Sequence, residues 1–344
     1  MGDMHPHPAL MRMIDSQSDA IERMARADLS DAAQRLAGAR RIFVIGTGTS
    51  QHAAELGSLM LGEAGYDARW ASSASFARWT TPPRSGDAAI VISHTAGTAF
   101  ARRCRQQLLA AGVPLVSITG IGRGWPEAVE TVDPEQSETY TVSYCAAVTI
   151  LAVLAQQLGA TRYNADRLQA TAKAVREAVT MPDIDRIELP SRALAIIGAG
   201  PWAVTAREGA LKIREASRVL AEGFEAESFL HGFAVPFAAG DGLVLLEPDG
   251  DPDGLVAALG RAAEAEGMTV STLAGPGSRF EAGHGRDLPP VLAQLPMTAR
   301  LQLLAAGFAR LRDQDPDVAI TGAWAEADLW NLGAPVEADA LPDP

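Results

Sequence analysis

Apolar residues along this chain fall in short unbroken runs rather than in strict alternation: "RIFVIG" from Arg41, "AAIVIS" from Ala88, "VPLVSIT" from Val113, "ALAIIG" from Ala193 and "GLVLLE" from Gly242. A strand covered on both faces reads this way, because neither set of alternate side chains meets water. Between the runs, apolar residues recur at helical spacing. The pattern predicts strands near 41–46, 67–71, 88–93 and 114–118, with helices near 49–64 and 97–111. It predicts a second series of strands near 193–198, 242–247 and 268–273, with helices near 202–221, 252–266 and 291–312. Helical segments from about Tyr140 to Leu158 and from about Asp166 to Thr180 join the two series. Strands alternating with helices imply an α/β fold, a parallel sheet with helices on both faces.

The two series match each other. "RIFVIGTGTSQHAAELGSLML" from Arg41 registers without a gap against "ALAIIGAGPWAVTAREGALKI" from Ala193. Each is a strand, a Gly-x-Gly turn (Gly46 and Gly48; Gly198 and Gly200) and a helix with a further glycine (Gly57; Gly209). "GDAAIVIS" from Gly86 then matches "GDGLVLLE" from Gly240 at nearly the same offset, so the chain contains a duplicated α/β unit.

With 344 residues, 47% of them hydrophobic, the chain is long enough for a large core and for two domains. A net charge of -13 without a compensating basic cluster argues against a nucleic-acid partner. The two cysteines, Cys104 and Cys145, form no disulfide framework or zinc-knuckle spacing, which suits a reducing cytoplasm. The longest apolar run, Tyr144 to Ala155, is well short of the roughly 20 residues of a membrane span. The start, with His5 and His7 flanking Pro6, lacks the apolar core of a signal peptide and is expected to fray, and the acidic, proline-bearing tail after Leu332 is expected to be disordered or draped on the surface.

Two hydroxyl clusters follow the first and third strands. "GTGTS" supplies Gly48, Thr49 and Ser50, and "SHTAGT" supplies Ser93, His94, Thr95 and Thr98. In open parallel sheets, ligands gather at the carboxyl ends of the strands, where helix N-termini present N–H groups and a positive dipole end. Hydroxyls and amide donors there make a cradle for a phosphate monoester. The equivalent places in the second half, "GAGPW" and "LLEPDG", lack hydroxyls and carry Glu247 and Asp249, which would repel a phosphate. One phosphate, in the first half, is the expectation. The alternative is that these Ser and Thr residues merely cap the following helices. A dinucleotide is disfavoured, since "GTGTSQ" and "GAGPWA" lack the last glycine of G-x-G-x-x-G, and no cofactor or metal is called for.

On these residues the chain resembles a known family. "GTSQHAAELGSLML" and "ISHTAGTAFARRCRQQLLAAGVPLVSITG" look like the phosphosugar loops of sugar isomerase (SIS) domains, and "EGALKIREASRVLAEGFEAESFLHGFAVPF", from Glu208, is similar to the isomerase half of glucosamine-6-phosphate synthase. The resemblance implies two tandem SIS domains, each a flavodoxin-like α/β/α sheet, packed as a homodimer, with no counterpart of the synthase's glutaminase half. The implied layout is an N-terminal lead over 1–30, a phosphosugar-binding domain over 31–160, a linker helix over 161–190, a second domain over 191–330 and a tail over 331–344. It implies that Thr49, Ser50, Ser93, Thr95 and Thr98 meet phosphate and sugar, with His94 in place of the family's glutamine. Glu215 falls on the base that moves the proton in enediol formation, Lys212 acts near C1 and C2, and His231 falls on the ring-opening acid/base given to the partner subunit's site. These residue types suit an aldose–ketose shift, which needs a base for a carbon-bound proton, a ring opener and an electrophile. Taken alone, Glu208, Lys212 and Glu215 also fit an ordinary exposed helix face, and His231 a packed histidine.

Two departures stand out. The family's closing lysine, which forms a Schiff base with a keto sugar, is replaced by Ala334 in "LWNLGAPVEA", and "ETYTVSYCAA" from Glu138 lacks the lysine of the family's "S-T-K" helix start. Imine chemistry thereby loses its usual nucleophile. Three functions follow: an isomerase of hexose or amino sugar 6-phosphates; a deaminase or deglycase of an amino sugar phosphate; or a non-catalytic sugar-phosphate sensor.

Overall fold

The computed structural model describes residues 8–181, 183–247, 251–275, 280–281 and 288–335. The expected frayed lead before residue 8, Asp249, and the tail from residue 336 lie outside the described residues. Two compact units arise, one within Ala27–Pro134, Ala146–Tyr163 and Ile320–Pro344, the other within Met1–Arg26, Glu135–Cys145 and Asn164–Ala319.

The first unit holds β1 (Arg41–Gly46), β2 (Asp67–Ser72), β3 (Asp87–Ile92), β4 (Leu115–Thr119) and β5 (Ala128–Glu130), in the order β2-β1-β3-β4-β5 with every pairing parallel. The second holds β6 (Ala193–Gly198), β7 (Leu220–Glu225), β8 (Gly242–Glu247), β9 (Thr269–Ala274) and β10 (Phe280–Glu281), in the order β10-β9-β8-β6-β7, again all parallel. Numbered from its own first strand, each sheet runs 2-1-3-4-5, the flavodoxin-like order. The α/β expectation holds, and the duplication seen in the sequence is a duplication of topology.

Period-2 alternation explains the apolar runs. Along β6, Leu194 and Ile196 enter one core with Ala206, Ile213, Leu301 and Phe308, while Ala195 and Ile197 enter another with Phe224, Leu243 and Leu245. In the first sheet Phe43, Ile45, Ala89 and Val91 pack with Phe76, Cys104 and Leu108, and the Phe43 and Phe76 rings meet edge-on at 5.3 Å.

The matched glycines have matched causes. A Cβ on Gly46 would strike the Ser50 backbone, and one on Gly198 the Trp202 backbone, so each strand turns tightly into its helix only without a side chain. Farther along, a Cβ on Gly57 would meet Leu151 of the Val142–Gln157 helix, and one on Gly209 would meet Leu301 of the Pro290–Leu311 helix. In both copies the glycine lets a long apolar helix lie close.

One expected element is wrong. The helix predicted over 202–221 ends at Ser217, because Arg218 takes a left-handed conformation (φ 58°), and Leu220–Glu225 is β7. No described helix is long and apolar enough to cross a membrane.

Candidate functional site

β1 and β3 are parallel neighbours, so the loops after them leave the same edge of the first sheet. After β1, Gly48 (φ 59°) occupies the N-cap of the Thr49–Glu63 helix without a side-chain cap. After β3, Ser93 is buried, its Oγ lies 3.5 Å from Thr98 Oγ1, and Thr95 Oγ1 accepts the Gly97 N–H at 3.1 Å. Thr98 is the N-cap of the Ala99–Ala110 helix, yet its side chain makes no cap bond. Neither N-cap residue makes a side-chain cap bond to its helix. Gly48, Thr49, Ser50, Ser93, His94, Thr95 and Thr98 thus line one edge.

His94 is held by the loop after β4. Its carbonyl accepts the Gly120 N–H at 2.9 Å, and a Cβ on residue 120 would come within 2.7 Å of the imidazole Cε1. Burial, reinforced by the nearby Arg123 charge, pulls the imidazole pKa down to about 4, so the ring is neutral at neutral pH.

In the other unit, Glu208, Lys212 and Glu215 lie on one face of the Trp202–Ser217 helix, as their spacing requires. The exposed-face alternative is wrong: the Lys212 and Glu208 side chains are fully buried and that of Glu215 is 20% exposed. Lys212 Nζ donates to Glu215 Oε2 at 2.6 Å and lies 3.7 Å from Glu208 Oε1. Burial disfavours the ammonium, but Glu215, Glu208 and Glu135 outweigh it and hold the lysine pKa above its ordinary value. Glu135 joins from the loop before the Val142–Gln157 helix, where its Oε1 accepts the N–H groups of Thr141 and Ser143, each at 2.8 Å. Burial pushes both Glu135 and Glu215 upward despite Lys212.

One buried ammonium facing several carboxylates is a proton-holding arrangement. Lys212 is a buried cation, and Glu215, 20% exposed, is a carboxylate whose pKa burial raises although Lys212 pulls it down. The same carboxylates act on Cys145, whose thiol is pushed up by burial first and then by Glu135 and Glu208, and which donates to Gln17 Oε1 at 2.6 Å.

His231 stands elsewhere in this unit. It lies in the Phe229–Phe233 π-helical turn, is exposed, and precedes Gly232 (φ 109°). Its exposure is at odds with the packed-histidine alternative. Ala334, in the first unit, donates its N–H to Asn331 O at 3.0 Å, and its neighbour Gly333 (φ 81°) is pressed against the Phe100 ring.

The hydroxyl edge therefore belongs to one unit, and Glu208, Lys212, Glu215 and His231 to the other. Sequence reasoning missed Glu135 and Arg123. Glu135 has no spacing signal, since its tie to Lys212 is purely tertiary. Arg123 had one: a lone arginine among glycines, directly after a buried strand. Among the described residues no group of three His, Cys, Asp or Glu side chains is arranged to hold a metal ion.

The SIS domain family matches residues 35–123. The glutamine–fructose-6-phosphate aminotransferase (isomerizing) of Thermococcus kodakarensis is 25% identical over a 350-residue alignment that covers 91% of this chain; the chain spans only 56% of that relative's length. Among solved structures, the tagatose-6-phosphate ketose/aldose isomerase of Escherichia coli has a TM-score of 0.76 at 16% identity, covering 92% of this chain and 97% of its own. The glucosamine-6-phosphate deaminase of Thermotoga maritima has a TM-score of 0.68 at 15% identity, covering 90% and 96%. At these identities the structural likeness establishes the fold.

Proposed function

We propose that this chain, whose residues 35–123 match the SIS domain family, binds a hexose or amino sugar 6-phosphate and shifts its carbonyl between C1 and C2. The observation that carries the reading is the buried Lys212–Glu215 pair, a fixed ammonium beside a carboxylate of raised pKa that solvent still reaches. Phosphate sits against the hydroxyls of Thr49, Ser50, Ser93, Thr95 and Thr98, with His94 turned to the sugar. His231 opens the ring by moving a proton between O1 and the ring oxygen. Glu215 removes the proton from C2 of the open aldose and returns it to C1 by way of an enediol, the hydroxyl proton of O2 passing to O1 as the carbonyl moves, while the Lys212 ammonium stabilises the oxygen charge.

The surface around His231 supports a homodimer. Leu230, Phe233 and Val235 are 60%, 54% and 84% exposed beside it, an apolar rim suited to a second copy of the chain.

A second reading is deamination of an amino sugar phosphate, in which water takes the place of the amine that Ala334 does not supply; the same Ala334 also supports a non-catalytic sugar-phosphate sensor. Glu215 and His231 would act as before, water would add at the carbon that bears nitrogen, and ammonia would leave.

Incubation with fructose 6-phosphate and glucosamine 6-phosphate in deuterated water tests both. Exchange at C1 or C2 supports proton transfer, and ammonia release identifies the deaminase. Glu215→Gln should abolish exchange with ligand affinity nearly unchanged. Affinity lost in parallel means a structural carboxylate, and a wild-type protein that binds without exchange or ammonia is an inert sensor.

A further inference from the structure

The loop after β4 reads "GIGRG", Gly120 to Gly124, and surrounds one arginine with three glycines. β4 is the parallel neighbour of β3, so this loop leaves the same edge as the Ser93–Thr98 segment. Its conformation is fixed from several sides. Gly122 (φ 74°) and Gly124 (φ 72°) occupy backbone conformations that suit glycine, and Gly122 donates its N–H to Glu130 Oε1 at 2.8 Å. Gly120 is packed against the His94 imidazole.

Arg123 is half-buried, and its Nε is shut off from solvent without a hydrogen-bond partner. The acids near it in sequence are engaged elsewhere. Glu127 accepts from Arg105 at 2.6 and 2.8 Å and from Ser117 at 2.8 Å, and Glu130 accepts from Gly122. The guanidinium's field nevertheless reaches the hydroxyl edge, since it acts on His94. A guanidinium N–H withdrawn from water without an acceptor is costly, and a planar fork of donors fits a phosphate bidentately. The hydroxyl cradle has no charge of its own to set against a dianion.

We infer that Arg123 is a ligand of the phosphate, a guanidinium that closes the hydroxyl cradle on a phosphate monoester dianion. This rests on the phosphate reading above. The arginine supplies the charge, and the hydroxyls and amides supply the shape.

The test is titration of the whole protein with inorganic phosphate and with fructose 6-phosphate, for wild type, Arg123→Gln and Arg123→Met. Both substitutions are expected to weaken both ligands about ten- to a hundredfold, the range of a lost charge-assisted hydrogen bond. They should also flatten the rise in affinity as the phosphate takes its second charge near about pH 6. Arg123→Met, which removes the unmatched N–H, should melt no lower than wild type without ligand and lose the stabilisation that phosphate gives. Wild-type affinity and pH dependence in both variants, or a loss only in proportion to lost folding, overturns the inference. A wild-type protein that binds neither ligand instead sinks the phosphate reading beneath it.

Discussion

Replacing Lys212 by methionine tests whether the buried cluster is held by charge. Methionine fills a similar volume, so the loss is of the ammonium. The Glu208 side chain is fully buried 3.7 Å from Nζ, and Glu215 is bonded at 2.6 Å. Removing one partner of a buried pair costs about 3–5 kcal/mol. The residual solvent contact of Glu215 places this case near the lower end, about 3 kcal/mol. At about 2–4 °C per kcal/mol for a domain of this size, the melting temperature should fall by roughly 6–12 °C at neutral to mildly alkaline pH. The sign with pH follows from the carboxylates. Without Lys212 the pKa of Glu215 in the folded state, already raised, rises further. A group raised in this way contributes stability below its unfolded pKa of about 4.3 and loses it as pH rises through the folded value. The deficit should therefore shrink between about pH 8 and pH 5, and adding Glu208→Gln should restore at least about 1.5 kcal/mol. Urea denaturation of the single and double variants at both pH values measures this. A deficit below about 1 kcal/mol, independent of pH and unrelieved by Glu208→Gln, refutes the reasoning.

Gly333→Ala would put a Cβ into the Phe100 ring at a left-handed backbone position, so limited proteolysis within 320–335 should quicken; an unchanged cleavage rate contradicts the packing. Cys104 is pushed up to about 12 by burial and Cys145 is raised too, so neither thiol should react with a disulfide reagent in the native protein at mildly alkaline pH, and both should react on unfolding. The His94 ring, with its pKa near about 4, should show no NMR titration between about pH 5.5 and 8; a midpoint near about 6.5 would mean the ring is solvated and free of Gly120.

The sheets were legible because their central strands are covered on both faces, which leaves unbroken aliphatic runs such as "IFVI" and "LAII". β7 was not. It is an edge strand paired only with β6, its burial is patchy, and "LAEGFE" carries glutamates that continue the helical pattern before it. Arg218 in a left-handed conformation ends that helix where no glycine announces a stop. The three-residue β5 and two-residue β10 are too short to leave a period.

The hydroxyl edge was legible for a different reason: strand ends and following glycines are local features, and the parallel order carries them to one place. The Lys212 cluster shows the limit. Spacing placed Glu208, Lys212 and Glu215 on one helix face, but whether that face meets water is decided by Glu135 and by the packing around it, which no local pattern records. Arg123 is intermediate, its loop legible and its missing partner visible only in three dimensions.

Calorimetric titration with fructose 6-phosphate and with unphosphorylated fructose, for wild type and the Ser93→Ala/Thr98→Val double variant, tests the central claim most directly. Wild type should bind the phosphate ester and ignore fructose, and the double variant should lose at least about tenfold in affinity. Equal affinity in the double variant, or fructose bound as tightly as its phosphate, would contradict the account.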